Sequence, residues 1–134
     1  MVAEREPVFR SPDDLAPPAG YSHVVSIPAG RLVWTSGQVA LDAERNVVAP
    51  GDWEAQTRTA FENVGKALRA AGADWPDVVK LTLFVVGMSA LETIRAVRDE
   101  FVDTARPPTS SLVQVAGLVH PDWLVEVEAV AWLP

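Results

Sequence analysis

The sequence predicts an α+β domain with two helices on one face of a mixed sheet, in the order ββ–α–β–α–ββ. Three observations lead there. Residues 124–132 near the C-terminus alternate with period two, the mark of a strand with two different faces. Two other stretches, 53–71 and 91–101, repeat apolar residues at spacings of three and four, the mark of amphipathic helices. Between them, 77–86 is a nearly unbroken apolar, β-branched run, which reads as a strand covered on both faces. Helices gathered on one side of a sheet make the α+β layering.

Taken in order, residues 1–20 carry Pro7, Pro12, Pro17 and Pro18 and little periodic pattern, so they are expected to form an extended surface arm preceding one domain over 21–134. Residues 21–27 and 32–39 alternate on either side of Pro28-Ala29-Gly30-Arg31, a hairpin signal. Residues 41–50 form a polar connection that can hold a short strand at 46–49. Asp52 is placed to cap the first helix, with Glu54 in its first turn favoured by the helix dipole. Trp53, Thr57, Phe61, Val64, Leu68 and Ala71 draw its apolar stripe, and Gly72 stands where a helix-ending glycine belongs. Ser89 and Glu92 have capping-box spacing, and Leu91, Ile94, Val97 and Phe101 make the second stripe. Pro107 and Pro108 forbid continuation of that helix. Residues 110–115 make another strand before the last one.

In the final strand Val125, Val127, Ala129 and Ala131 point one way, and Leu124, Glu126, Glu128, Val130 and Trp132 point the other. Two carboxylates on a largely apolar face must be exposed at an edge, paired, or used. Two helices cover only one sheet face. The other, carrying Leu124, Val130, Trp132 and Trp34 or its neighbours, exposes too much apolar surface for a monomer, so a closed homo-oligomer is expected.

Composition narrows the function. The chain has 134 residues, 49% hydrophobic and 22% charged, with a net charge of −7, as for one soluble globular domain. The acidic excess and the lack of a basic cluster argue against nucleic acid or an anionic membrane as partner. There are no cysteines, which excludes disulfides and thiolate chemistry, and His23 and His120 lack metal-ligand spacing. No apolar run is long enough for a membrane span, and Glu4 and Glu6 do not resemble a signal peptide, so a cytoplasmic protein is expected. No motif for phosphate, dinucleotide or metal binding is present.

Few polar residues stand out one by one. Gly37, within Thr35-Ser36-Gly37-Gln38, marks a turn, a bulge or a close backbone approach, and a structural turn is the better reading of these residues alone. Tyr21, the only tyrosine, reads as a packing residue with a wet hydroxyl opening a strand. Arg95, between Glu92 and Asp99, reads as part of a solvated helix face, and Arg106 as a partner for a helix C-terminus. His120 reads as a loop residue.

The ordered set of short pieces is more specific than any one of them. Gly20-Tyr21, Thr35-Ser36-Gly37-Gln38, Ala70-Ala71-Gly72-Ala73, residues 78–85, Pro107-Pro108 before Val113-Gln114-Val115, and residues 125–131 together resemble the RidA/YjgF family, the reactive-intermediate deaminases. The resemblance implies a chorismate-mutase-like fold and a homotrimer whose sheets line a central barrel. It also implies small-molecule clefts at the subunit interfaces and no cofactor. In members that deaminate, a glutamate holds the water attacking an imine carbon, and an arginine grips the substrate carboxylate. Carried over by position, the glutamate is Glu126, the cleft tyrosine Tyr21 and the cleft serine Ser36. The arginine's place falls on Ser110, and Arg95 stands where deaminating members tend to keep asparagine. A serine lacks the bidentate fork of a guanidinium, which puts standard 2-aminoacrylate activity in doubt. Two functions stand side by side. One is hydrolysis of small enamines, imines or related carbonyl compounds; the other is a non-catalytic small-molecule-binding trimer on the same scaffold. Ribonuclease activity, a third possibility attached to relatives, is disfavoured by the acidic charge.

Overall fold

The computed structural model describes residues 4–134, so residues 1–3 of the expected arm lie outside it. Helix α1 (Trp53–Ala70) starts as its sequence requires: the Asp52 carboxylate accepts the Ala55 N–H at 3.0 Å. It closes with Gly72 N–H donating to Arg69 and Ala73 N–H to Leu68, the two bonds that occupy free carbonyls at a helix end. Its stripe packs on the central sheet, whose strand order is β3 (Arg31–Trp34), β6 (Val125–Leu133), β4 (Val78–Val85), β5 (Thr109–Gln114). The β3–β6 and β6–β4 pairs are antiparallel. Strand β5 runs parallel to β4, because helix α2 (Leu91–Asp99) carries the chain back between them.

Both helices lie on one sheet face. Ala60, Phe61, Val64 and Leu68 of α1 and Ile94 of α2 share a core with Leu81, Leu83, Val85, Val125, Val127, Ala129 and Ala131. A bulge between Val78 and Lys80 lets Val78 and Leu81 both face this core although they are three residues apart. Phe61 is its centre, fully buried, stacked on Trp75 at 5.3 Å and tilted against Phe101 at 5.2 Å. Phe61→Ala is expected to cost about 3–5 kcal/mol in urea unfolding, a large share of the ~5–15 kcal/mol available to a domain. A loss under 1 kcal/mol would mean the aromatic cluster is not the keystone it is taken for.

Polar groups of α1 anchor the loops beside the sheet. The buried Gln56 amide donates to Val48 O (3.1 Å) and Asp122 O (2.8 Å) and accepts from Leu124 N–H (2.9 Å), which pins the start of β6. Asn63 donates to the carbonyls of Val39 and Leu41, both at 3.0 Å. No helix among the described residues is long and apolar enough to cross a membrane.

Several expectations are corrected. The hairpin over 21–27 and 32–39 does not form. β2 (Val24–Ser26) pairs with β1 (Val8–Arg10) in a separate two-stranded sheet, and β3 pairs with β6. The long C-terminal strand offers Arg31–Trp34 a full ladder, while the arm offers one to Val24–Ser26. Pro28 can donate nothing to a turn, and its carbonyl is taken by the Trp132 indole N–H at 3.1 Å. Within the expected arm, Val8–Arg10 is therefore strand. Arg106 meets no helix end: it donates to Pro7 O at 3.2 Å and lies 4.8 Å over the Phe9 ring, holding the arm down. The stretch 46–49 contributes a single pairing, Leu41 with Val47. The capping box at Ser89 fails by one residue, since Ala90 is the cap and no side chain satisfies it.

The strand at 78–85 is covered by helices on one face only. Lys80, Thr82 and Phe84 are half-buried on the other. That open face also carries Glu126, Glu128, Val130, Leu32 and Trp34, and Trp34 is 67% exposed. Trp132, expected to be exposed there, is buried at 6%, because Pro28 and the Gly30 turn close over its indole.

Candidate functional site

Glu126 stands on the open face of β6, opposite Phe84. Beside it the chain makes a bulge. Thr35 N–H donates to Ala129 O (3.0 Å), and Gln38 and Val127 exchange two backbone bonds (2.7 and 2.9 Å). Ser36 and Gly37 therefore oppose the single residue Glu128. The Thr35 hydroxyl takes the Ala129 N–H at 3.1 Å, in place of a carbonyl, at this break. Gly37 packs so closely on the Glu126 carboxylate that a Cβ there would overlap it. The glycine is thus a close approach to the Glu126 side chain as well as a turn, and Ser36 is exposed beside it.

Among the described residues the Glu126 carboxylate makes no hydrogen bond or ion pair. Burial, with a further contribution from the neighbouring Glu128 charge, pushes its pKa above the usual carboxylate range. A half-buried carboxyl of raised pKa, free of partners, is equipped to take and return a proton.

The other expected residues gather elsewhere. A cavity of about 290 Å³ opens between α2, the β4–β5 pair and the segment around Tyr21. Leu83, Leu91, Ile94 and Leu112 make its apolar wall; Tyr21, Arg95, Arg98 and Ser110 are polar groups on it. Tyr21 opens no strand. It lies in a loop docked by Ser22, whose N–H donates to Pro108 O (3.1 Å) and whose hydroxyl donates to Pro107 O (2.6 Å). Its ring meets His23 edge-on at 5.3 Å. Arg95 is exposed, as expected of a wet helix face, yet it also lines this cavity.

The five residues are therefore not assembled within one chain. Ser110 pairs with Leu81, a core-facing position, while Glu126 pairs with Phe84 on the open face. The sheet stands between the Tyr21–Arg95–Ser110 group and the Ser36–Glu126 group. Sequence reasoning passed over Arg98. It follows Leu91 by seven and Ile94 by four, a charged residue on the buried stripe of α2, and that position was the available signal. Its Nε donates to Asp99 Oδ1 at 2.9 Å. His120 accepts the Asp122 N–H at 3.0 Å and packs on Trp123, as a loop residue does. Among the described residues no group of three or more His, Asp or Glu side chains is placed to hold a metal ion.

Comparison with known proteins covers nearly the whole chain. A family model described as Endoribonuclease L-PSP matches residues 12–133. A 2-iminobutanoate/2-iminopropanoate deaminase of Salmonella typhimurium is 37% identical over 118 residues, 87% of this chain and 91% of that one. The Rid family protein YyfB of Yersinia pestis superposes with a TM-score of 0.85 at 35% identity, covering 96% of this chain and 99% of that one. TdcF of Escherichia coli, solved with bound serine, gives 0.70 at 32% identity over 93% and 94% of the two chains.

Proposed function

Because this chain belongs to the Endoribonuclease L-PSP family, the YjgF/RidA proteins, we propose that it hydrolyses small reactive enamines or imines, using clefts shared between the subunits of a homotrimer. The observation that carries this reading is Glu126, a half-buried, partner-free carboxyl of raised pKa set against Gly37 on the open sheet face. The name of the Salmonella relative and the serine bound to TdcF support a small amino-acid-like substrate.

The chemistry follows from one carboxylate and one water. An enamine first takes a proton on carbon and becomes the iminium. The Glu126 carboxylate then accepts a proton from water as the water oxygen bonds to the iminium carbon, and the C=N π electrons move onto nitrogen. The carboxylic acid so formed returns its proton to that nitrogen. The hydroxyl oxygen then forms the C=O bond as the C–N bond breaks and ammonia leaves. The hydroxyl proton passes to the Glu126 carboxylate and on to water, replacing the proton the enamine took from solvent, so the neutral carbonyl compound remains. Nothing in these steps requires a cofactor.

Assembly supplies what one chain lacks. Separation of the two residue groups by the sheet, and the exposed Leu32, Trp34 and Val113 on the open face, both support a second copy completing each site. Three copies closed into a barrel in the chorismate-mutase manner would bury Trp34 and bring the Glu126 group of one protomer toward the cavity of the next. Tyr21, Ser36 and Ser110 then serve as hydrogen-bonding groups of the cleft.

The test is ammonia and keto-acid release from enzymatically generated 2-aminoacrylate and larger imines, alongside sedimentation. Acceleration by a species near three times 14.5 kDa is the expected result. A trimer that is thermally stabilised by these ligands but yields no product would establish the non-catalytic binder instead. A stable monomer would remove both the trimer and the shared cleft.

A further inference from the structure

A second cavity, of about 310 Å³, lies between the N-terminal arm and the last residues of β6. It shares no residue with the cavity beside Tyr21. Trp132, on its floor, stands six residues beyond Glu126 in β6, about 20 Å along the strand. Neither group of candidate site residues lines it.

The floor is apolar. Trp132 and Val79 are buried and Phe9 is half-buried. The indole N–H is already bonded to Pro28 O at 3.1 Å, so the ring offers the cavity only apolar surface. Above this floor stand charges of both signs, and two of them are held in place. Arg106 Nη2 donates to Pro7 O at 3.2 Å, and its guanidinium lies 4.8 Å over the Phe9 ring. Asp77 Oδ2 accepts the Asp74 N–H at 2.8 Å, which leaves Oδ1 without a donor among the described residues. Arg5 and Glu6 add one exposed charge of each sign. Among the described residues none of these four forms an ion pair. A simple anion would meet Asp77 and Glu6, and a simple cation would meet Arg5 and Arg106. Fixed, unpaired charges of both signs over an apolar floor suit a ligand that carries both signs and an apolar body.

We infer that this cavity is a second ligand site, which binds a free α-amino acid with an apolar side chain and thereby fastens the N-terminal arm. Arg106 takes the carboxylate, Asp77 takes the ammonium group, and Phe9, Val79 and Trp132 receive the side chain. The arm supplies Arg5, Glu6 and Phe9, whereas Asp77, Arg106 and Trp132 come from the body of the domain. The site is therefore complete only while the arm is docked, and a ligand that needs both halves holds them together. It requires nothing of the chemistry at Glu126.

Four small probes test the site on the intact protein by calorimetry. L-Phenylalanine should bind about tenfold more tightly than 3-phenylpropanoate, which lacks the ammonium group, and than 2-phenylethylamine, which lacks the carboxylate. It should also bind about tenfold more tightly than L-alanine, which leaves the apolar floor empty. Arg106→Gln should abolish the preference over 2-phenylethylamine, and its amide can still donate to Pro7 O. Asp77→Asn should abolish the preference over 3-phenylpropanoate, and its amide oxygen can still accept the Asp74 N–H. Arg95→Gln, on the wall of the other cavity, should change neither preference. With L-phenylalanine at ten times its Kd, hydrogen exchange of the β1 amides should slow about tenfold. Should Arg106→Gln release the arm, the probe series and the exchange rates of the unaltered protein still decide the matter. No binding of L-phenylalanine, or equal affinity for it and the two singly charged analogues, would overturn the site. So would binding lost in Arg95→Gln and kept in Asp77→Asn, which would put the amino acid in the other cavity. Binding that leaves β1 exchange unchanged would overturn the fastening of the arm.

Discussion

Glu126→Gln is expected to lower turnover about 10²- to 10⁴-fold, the range for removing a positioned proton-transfer group, while fold and assembly persist. The amide nearly matches the carboxylate in shape, so Gly37 still packs against it and the β6 ladder is undisturbed. What disappears is the proton acceptor. The loss should fall on kcat more than KM, because water activation matters in the transition state and much less in substrate binding. The pH behaviour follows from the raised pKa of Glu126. The folded protein favours the protonated carboxyl, so the associated stability is fully present below the ordinary value of 4.5 and is lost as pH rises through the elevated folded value. Glutamine does not ionise. The variant should therefore be more stable than the native protein at neutral pH and gain nothing well below 4.5. The proposed proton transfer from water needs the ionised form, so the acidic limb of the kcat/KM profile should lie at higher pH than an ordinary carboxylate would place it. Glu128→Gln removes the neighbouring charge and should move that limb to lower pH, only in part, because burial is the larger cause. A Glu126→Gln enzyme with full activity would return this residue to being an ordinary strand carboxylate.

Under the proposed trimeric assembly, Trp34→Asp is expected to dissociate the subunits and abolish the proposed hydrolysis without touching Glu126. Trp34 is 67% exposed on a sheet face it shares with Leu32, and Val113 of β5 is also exposed. A monomer keeping that surface wet would be unusual. Truncating a buried aromatic at the centre of an interface costs about 2 kcal/mol or more, and threefold symmetry would count the loss three times per assembly. Aspartate adds the cost of burying a charge with no partner. The helix-side core lies on the opposite face, so far-ultraviolet circular dichroism should be unchanged. Sedimentation should fall from about three times 14.5 kDa to a single chain. A variant that stays trimeric and active would show that the subunits meet elsewhere.

The order of main elements, the two helices and the alternation of β6 were legible in the sequence, because each is set by local periodicity. The cap at Asp52 and the helix end at Gly72 depend on groups within a few residues and were equally legible. Glu126 stood out as one of two carboxylates on an apolar strand face, and the family resemblance assigned it a role. What the sequence left open was which distant segments would meet. Residues 21–27 and 32–39 alternate convincingly, but β2 found the arm and β3 found β6, since strand pairing is decided between segments far apart in the chain. Trp132 has the period of the open face, and only the closure of Pro28 and Gly30 over it buried its ring. Ser89 carries the right capping chemistry one residue too early. Ser110 and Glu126 look like parts of one cleft in the sequence, but register places them on opposite faces of the sheet. Arg98 is marked in the sequence only by its place on the α2 stripe; Gly20, 78 positions earlier, makes room for its guanidinium in the fold. Local pattern determines the element a residue joins and the face it takes. Burial, pairing and the company a charge keeps are settled by contacts between remote segments, and these form only when the whole chain has packed.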